Sequence, residues 1–487
     1  MMGPRREQRE RLFHYNFSLE SRIRKDHPLR GVLRHVDFSI VRERVSHCYG
    51  NNGHRSEDPI VIMKLMFLLF FDDVKSEREL MRIVPERLDY LWFLGLDLED
   101  KPPDHSVLSK ARARWGQELF EELFVQVVGE CVDCGLVSGG KIHMDGSLVD
   151  ADVSADSIRV GAGELIEQLK RAYGVQERKL ELLVDETESK RYYQKKNREL
   201  VSRTDPDAAV VKQKRSGSSR ARYKHHRAID DSHGVVTAVE TTAGDVEENS
   251  RLMPLLRQHE RNTGCEVSAV VADSQYGTQD NFAACEQHGI DSHMKDLRSQ
   301  RRQQVVYDGI FKPDRFRYDD AQDCYWCPDK QRLNRVGKGK GRTIRYKASA
   351  RVCQQCQLKP HCTRSRFGRT ITRHMAQQAI DRARAKSHSP QAIRDRIRRR
   401  HLMEGSFADA ANNHHFKRAR WRRRHNQQIQ DYLIAVCQNV RILLGHAPLQ
   451  PAVAAAGKTQ GRVRRFWLQL RFLAGLMPFP RRLAALW

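Results

Sequence analysis

Three acids stand in settings where carboxylate chemistry could be done: Asp145, Asp273 and Glu404. Asp145 belongs to the stretch 141–156, which opens as an alternating strand. Ile142 and Met144 point one way, and His143, Asp145 and Ser147 point the other. A carboxylate buried there is costly unless it is paired or bound to a metal. Asp145-Gly146 also reads as a tight turn, because Asp-Gly favours positive φ. Asp273 closes the apolar run 266–273, which has the length of a strand covered on both faces. In sheets flanked by helices, ligand sites gather beyond the carboxyl ends of such strands. The other reading makes Asp273 the cap of a helix near 280–288. Glu404 falls in a helical pattern that starts at Gln391, on a stripe with Ile393, Ile397, His401 and Phe407 or Ala408. That stripe is expected to face inward. Arg400 stands one turn earlier, where it forms a basic partner or an ordinary surface pair with Glu404. Carboxylate oxygens are the ligands Mg²⁺ takes, and metals held this way assist in-line displacement at phosphorus.

The elements that must position these acids are legible in outline. Residues 1–135 read as helices, with apolar faces from Leu65, Leu68, Leu69 and Leu80 and a start signal at Ser76-Glu77-Arg78-Glu79. A helix over 107–115 carries Lys110, Arg112 and Arg114, and its basic face reads as solvated. Beyond the first strand, helices are expected over 164–173 and 177–203, followed by a basic loop over 212–220. Two strands, 223–229 and 235–242, flank the turn Asp231-Ser-His-Gly234, and a helix follows near 250–260. An amphipathic helix is expected over 428–444, after a dense basic run at 417–424.

Charge narrows the partners. Lysines and arginines number 86 against 61 acids, a formal charge of +25. An excess of that size repels itself unless a polyanion is a normal partner, which points to nucleic acid. The longest apolar run, 60–71, is too short to span a bilayer and contains Lys64. The charged start from Arg5 onward lacks a signal core, so a cytoplasmic chain is expected. Eleven cysteines then suggest metal ligands and free thiols rather than disulfides. Cys324-x2-Cys327 and Cys353-x2-Cys356, with Cys362 beyond, have the spacing of a closed structural zinc site in a small insertion.

Taken together, these residues resemble the RNase H-like DDE transposases of bacterial insertion sequences. The resemblance is closest to the subgroup with a helical N-terminal domain and a cysteine-bearing insertion, and it spans about residues 10–444. It rests on His27-Pro-Leu-Arg30, Ser76-Glu-Arg-Glu-Leu80, Trp92-Phe-Leu-Gly-Leu-Asp97 and Pro103-Asp-His-Ser106. In the catalytic part it rests on His143-Met-Asp-Gly-Ser-Leu148, Ala272-Asp-Ser-Gln-Tyr-Gly277 and Glu404-Gly-Ser-Phe-Ala-Asp-Ala410. It implies that Asp145, Asp273 and Glu404 are the catalytic acids and hold Mg²⁺ or Mn²⁺, as two ions. Arg400, Lys417, Arg418 and Arg420 would contact DNA. Among the cysteines it selects Cys327, Cys353, Cys356 and Cys362 as zinc ligands. It further implies cleavage at element ends, strand transfer into target DNA, and a homodimer assembled on DNA at the nucleoid. Two departures stand out. Ala411 occupies a place where a lysine is usual, and Arg422-Arg-Arg424 stands for Arg-Gly-Leu. They leave open an alternative, an impaired transposase that only binds DNA.

The expected architecture is an RNase H-like mixed sheet flanked by helices. A helical N-terminal domain occupies 1–135, and the catalytic domain runs over 136–300 with a helical and basic insertion at 157–222. A zinc-ribbon-like insertion follows at 301–370, then the final catalytic helices at 371–444 and a tail at 445–487.

Overall fold

The computed structural model describes residues 2, 18–50, 56–160, 200–212, 219–297, 310–339 and 341–446. The helix expected over 164–173, most of that expected over 177–203, most of the basic loop and nearly all of the tail lie outside the described residues; the described end of the second, Leu200–Ser202, is a strand paired with Ile158–Val160 and not a helix. The chain is mixed α/β with a helical N-terminal region. It packs as two compact units, one drawn from Met1–Val267 and Arg399–Trp487, the other from Ser268–Arg398.

In the first unit, the helix Pro59–Phe71 forms the centre of the N-terminal region. Asp58 caps it by accepting from the Ile60 N–H at 3.1 Å, and Pro59 at the first position costs no hydrogen bond. It is buried over nearly its whole length. Glu77–Ile83 starts at Ser76, whose hydroxyl accepts from the Glu79 N–H at 3.1 Å. Glu118–Asp133 and the last helix, Arg424–His446, complete one apolar cluster with these helices and with Val149, Ile229, Val236 and Val239 of the strands. The packing therefore does not break at the boundary expected near 135.

The sheet of this unit is built on the long strand Ser219–Asp230. Lys141–Asp150 pairs with it antiparallel on one edge, and Ala209–Lys212 and Val236–Ala243 pair with it on the other. The hairpin expected around 231–234 is present, with Gly234 at φ +71° making the reversal. The helix Arg424–His446 is not amphipathic, because every residue from Gln427 to Val440 is buried. Its polar side chains bond strand backbone instead: Gln428 accepts from the Thr241 N–H at 2.7 Å and Asn439 from the Val236 N–H at 2.8 Å.

The second unit contains a parallel pair, Ala269–Val271 with Asp291–His293, covered by the helices Gln279–Gln287 and Gln377–Ser387. A five-stranded antiparallel sheet follows, in the order Thr370–His374, Thr343–Ala348, Arg332–Lys338, Cys324–Trp326, Arg317–Asp319. It has its own small core of Phe316, Tyr325, Leu333, Tyr346, Ala348 and Ile371.

Candidate active site

Asp145 is not in a turn. Lys141–Asp150 is continuous through it, with Asp145 opposite Arg227 and Gly146 opposite His226. The strand is buried on both faces from Ile142 to Met144 and opens at Asp145, whose side chain is 27% exposed. Its Oδ1 accepts from the Gly146 N–H and its Oδ2 from Arg399 Nη1, both at 2.9 Å. A carboxylate offers about four lone pairs, so acceptor capacity remains for a cation.

Glu404 lies on the helix Pro390–Asn413. The stripe expected to face inward faces outward: Ile393 and Ile397 are 47% and 53% exposed, and Glu404 is exposed with them. The inward stripe is Ala392, Asp395, Met403 and Ala410, with Arg399 and Ser406 between them. Polar residues on that inner face bond to the strands, which hides the phase from an apolar count. The consequence falls on the arginines. Arg399, not Arg400, meets Asp145, while Arg400 is exposed and makes no ion pair with Glu404 among the described residues. In the run Arg398-Arg399-Arg400 only the helix phase separates them. Asp145 and Glu404 thus belong to one unit, on elements joined through Arg399.

Asp273 lies two residues past the strand Ala269–Val271 in the second unit. The capping reading fails, because Thr278 caps the helix Gln279–Gln287 by accepting from the Asn281 N–H at 3.3 Å. Asp273 accepts from the Gln275 N–H at 2.8 Å through Oδ1 and from the Tyr276 N–H at 3.3 Å through its carbonyl. Tyr276 and Gly277 are buried behind it.

The basic run divides. Residues 417–419 join the end of the Asp145 strand, with the Asp150 N–H donating to the Lys417 carbonyl at 3.0 Å and the Ala419 N–H to the Asp150 carbonyl at 2.8 Å. This sets Lys417 Nζ 2.7 Å from Ser147 Oγ, two residues along from Asp145. Burial, then the Arg227 charge, pull its pKa below the usual lysine value. Arg418 is 64% exposed and 3.5 Å from Asp152. Arg420, expected on DNA, is only 6% exposed: it bonds Asp73 Oδ1 at 3.0 Å and the Val74 carbonyl, and lies over the Phe70 ring. Its charge is used inside the fold. Arg112 is likewise not solvated, being buried between Glu77 and the face of Trp421 at 3.7 Å.

Of the cysteines, Cys324 is buried, and Cys327, Cys353 and Cys362 pack against the small core of the second unit. Burial, followed by the charges of its neighbours Cys353, Cys327 and Cys356, raises the Cys362 thiol. Tetrahedral zinc with Zn–S of about 2.3 Å requires sulfurs roughly 4 Å apart. Among the described residues no three of these thiols come within 4.8 Å of one another, and the group that does is His35, Glu130 and Cys134. The expected zinc site is not supported.

Two family models match the chain. A family model described as a transposase domain (DUF772) matches residues 17–114, the N-terminal helices. A second, described as a transposase DDE domain, matches residues 326–444, which include Glu404, Lys417 and the last helix. No curated protein matches the chain. No helix among the described residues is long and apolar enough to cross a membrane. These two matches, with an acid-bearing strand between them, support a DDE transposase of insertion-sequence type.

Proposed function

We propose that the chain cuts DNA at the ends of an insertion sequence and joins the freed 3′-hydroxyl to target DNA, on an RNase H-like catalytic fold. Asp145, Asp273 and Glu404 are the acids that would hold divalent metal. The donor chemistry suits Mg²⁺ or Mn²⁺: Asp145 keeps acceptor capacity, and Glu404 is exposed with no hydrogen bond or ion pair among the described residues. When bound, such ions supply Lewis-acid stabilisation of the entering and leaving oxygens. Arg399 orients Asp145, and Lys417 brings a positive charge to the same strand, where a scissile phosphate would lie. Arg400 and Arg418 present exposed charge to the DNA backbone.

The observation that carries the reading is Asp145 itself, set mid-strand at the point where the strand opens to solvent and faced by Arg399. The lysine missing at position 411 does not favour a merely DNA-binding relic, because Lys417 supplies a cation beside Ser147 on the Asp145 strand. Two ends must be held together, so a homodimer on DNA is part of the proposal. The test is Mg²⁺-dependent cleavage and joining of a duplex carrying the element's terminal repeat. Joined product lost in Asp145→Ala and in Glu404→Gln, with DNA affinity retained, is the expected result. Binding without cleavage by the unaltered protein overturns it in favour of the relic.

A further inference from the structure

Arg227 is the largest fully buried side chain of the described residues, and the chemistry above has no place for it. It lies directly across the ladder from Asp145. Its Nη1 donates to Ser406 Oγ at 2.7 Å and to Gln438 Oε1 at 3.0 Å, and its Nε donates to His225 Nε2 at 2.8 Å. The guanidinium stacks over Phe407 at 4.5 Å. Ser406 and Phe407 are two and three residues beyond Glu404 on the same helix. Gln438 ties the far side, its Nε2 donating to the Ser406 carbonyl and to Asp409 Oδ2, each at 2.8 Å. Because His225 Nε2 accepts from Arg227, its proton lies on Nδ1, 2.8 Å from Asp431 Oδ2.

A buried guanidinium is a poor choice for stability alone, since an apolar residue of similar volume usually serves as well or better. What it does here is join three elements through directional bonds: the strand beside Asp145, the helix of Glu404 and the last helix. The planar fork fixes rotation as well as distance, which a hydrophobic contact would leave free. We infer that Arg227 is a positioning residue, which sets the rotation of the Glu404 helix against the Asp145 strand so that the two carboxylates can share metal. The inference rests on the reading of Asp145 and Glu404 as metal-binding acids. Burial lowers the pKa of Arg227 to about 10, with Asp431, Asp409 and Asp145 holding it up, so it stays charged at neutral pH.

The experiment compares the full chain with Arg227→Met, Arg227→Lys and Ser406→Ala by thermal melting, affinity for the terminal-repeat duplex, Mn²⁺ binding followed by electron paramagnetic resonance, and cleavage against Mg²⁺ concentration. Arg227→Met leaves His225 Nε2 and Gln438 Oε1 buried without their donor, so it is expected to melt several degrees below the unaltered protein but, where folded, to bind DNA within twofold. It should bind Mn²⁺ at least tenfold more weakly and cleave at least a hundredfold more slowly. Arg227→Lys keeps the charge without the fork and should recover only part of the Mn²⁺ affinity. If Arg227→Met does not fold, Ser406→Ala, which removes one bond, should still weaken Mn²⁺ binding threefold or more. Mn²⁺ affinity and cleavage within twofold of the unaltered protein in the folded variants overturn the inference while leaving the proposed function standing. An unaltered protein that binds DNA but never cleaves overturns both.

Discussion

At the scale of single residues, burial decides what a charge is for. Lys64, on the central helix Pro59–Phe71, donates to the Phe93 carbonyl at 2.7 Å and lies over the Phe93 ring at 5.1 Å. Burial pushes its pKa down to about 8. The unfolded chain therefore binds the Lys64 proton more tightly than the folded one between pH 8 and about 10.4, so the Lys64 contribution to stability rises with pH through that window, while the buried thiols Cys131, Cys285 and Cys437, whose pKa values burial raises, contribute a fall. The Lys64 contribution over that window is on the order of 3 kcal/mol. Chemical denaturation from pH 7 to 10.5 should show the stability of the unaltered protein rising relative to that of Lys64→Met, in which the thiol contribution is the same. Arg420 gives the opposite lesson, since a cation in a basic run can be a brace. Arg420→Ala leaves Asp73 partly buried without its partner. It should cost on the order of 3 kcal/mol in a denaturant titration while leaving the salt dependence of DNA binding unchanged.

At the scale of elements, the turn after Asp273 is held by close backbone approach. A Cβ on Gly277 would stand 1.8 Å from the Lys295 carbonyl oxygen, and Leu297 N–H donates to the Gly277 carbonyl at 2.9 Å. Backbone cannot step aside as the end of a side chain can. Gly277→Ala should destabilise by about 2–4 kcal/mol and displace Asp273, read as a lower melting temperature with loss of cleavage. The helix cap at Ser76 is a milder case, because its loss exposes a single amide. Ser76→Ala should cost about 1 kcal/mol and leave cleavage intact.

At the scale of the whole molecule, the formal charge of +25 leads the proposed function to predict that phosphate contact is the main source of DNA affinity. Arg400 and Arg418 are exposed, and each released phosphate counterion adds to the salt dependence. Arg400→Ala and Arg418→Ala together should lower the slope of log affinity against log salt by about 2, uniformly across sequences. An unchanged slope would remove these two arginines from the interface.

Local rules were enough for the features that need only neighbouring residues. The Asp145 strand followed from alternation, the start at Ser76 from cap chemistry and the 231–234 hairpin from its turn residues, while for the two long C-terminal helices the pattern located the elements but not their buried faces. Only the tertiary structure decided helix phase and partner. It chose Arg399 over Arg400, turned Glu404 outward, and buried Arg420 and Arg112. The physical reason is common to all of these. Periodicity identifies a buried face only when that face is apolar, whereas here the inner faces carry arginine, serine and glutamine satisfied by residues far along the chain. Arg227 binds Ser406 and Gln438 across about two hundred residues of sequence, and no local pattern records that contact.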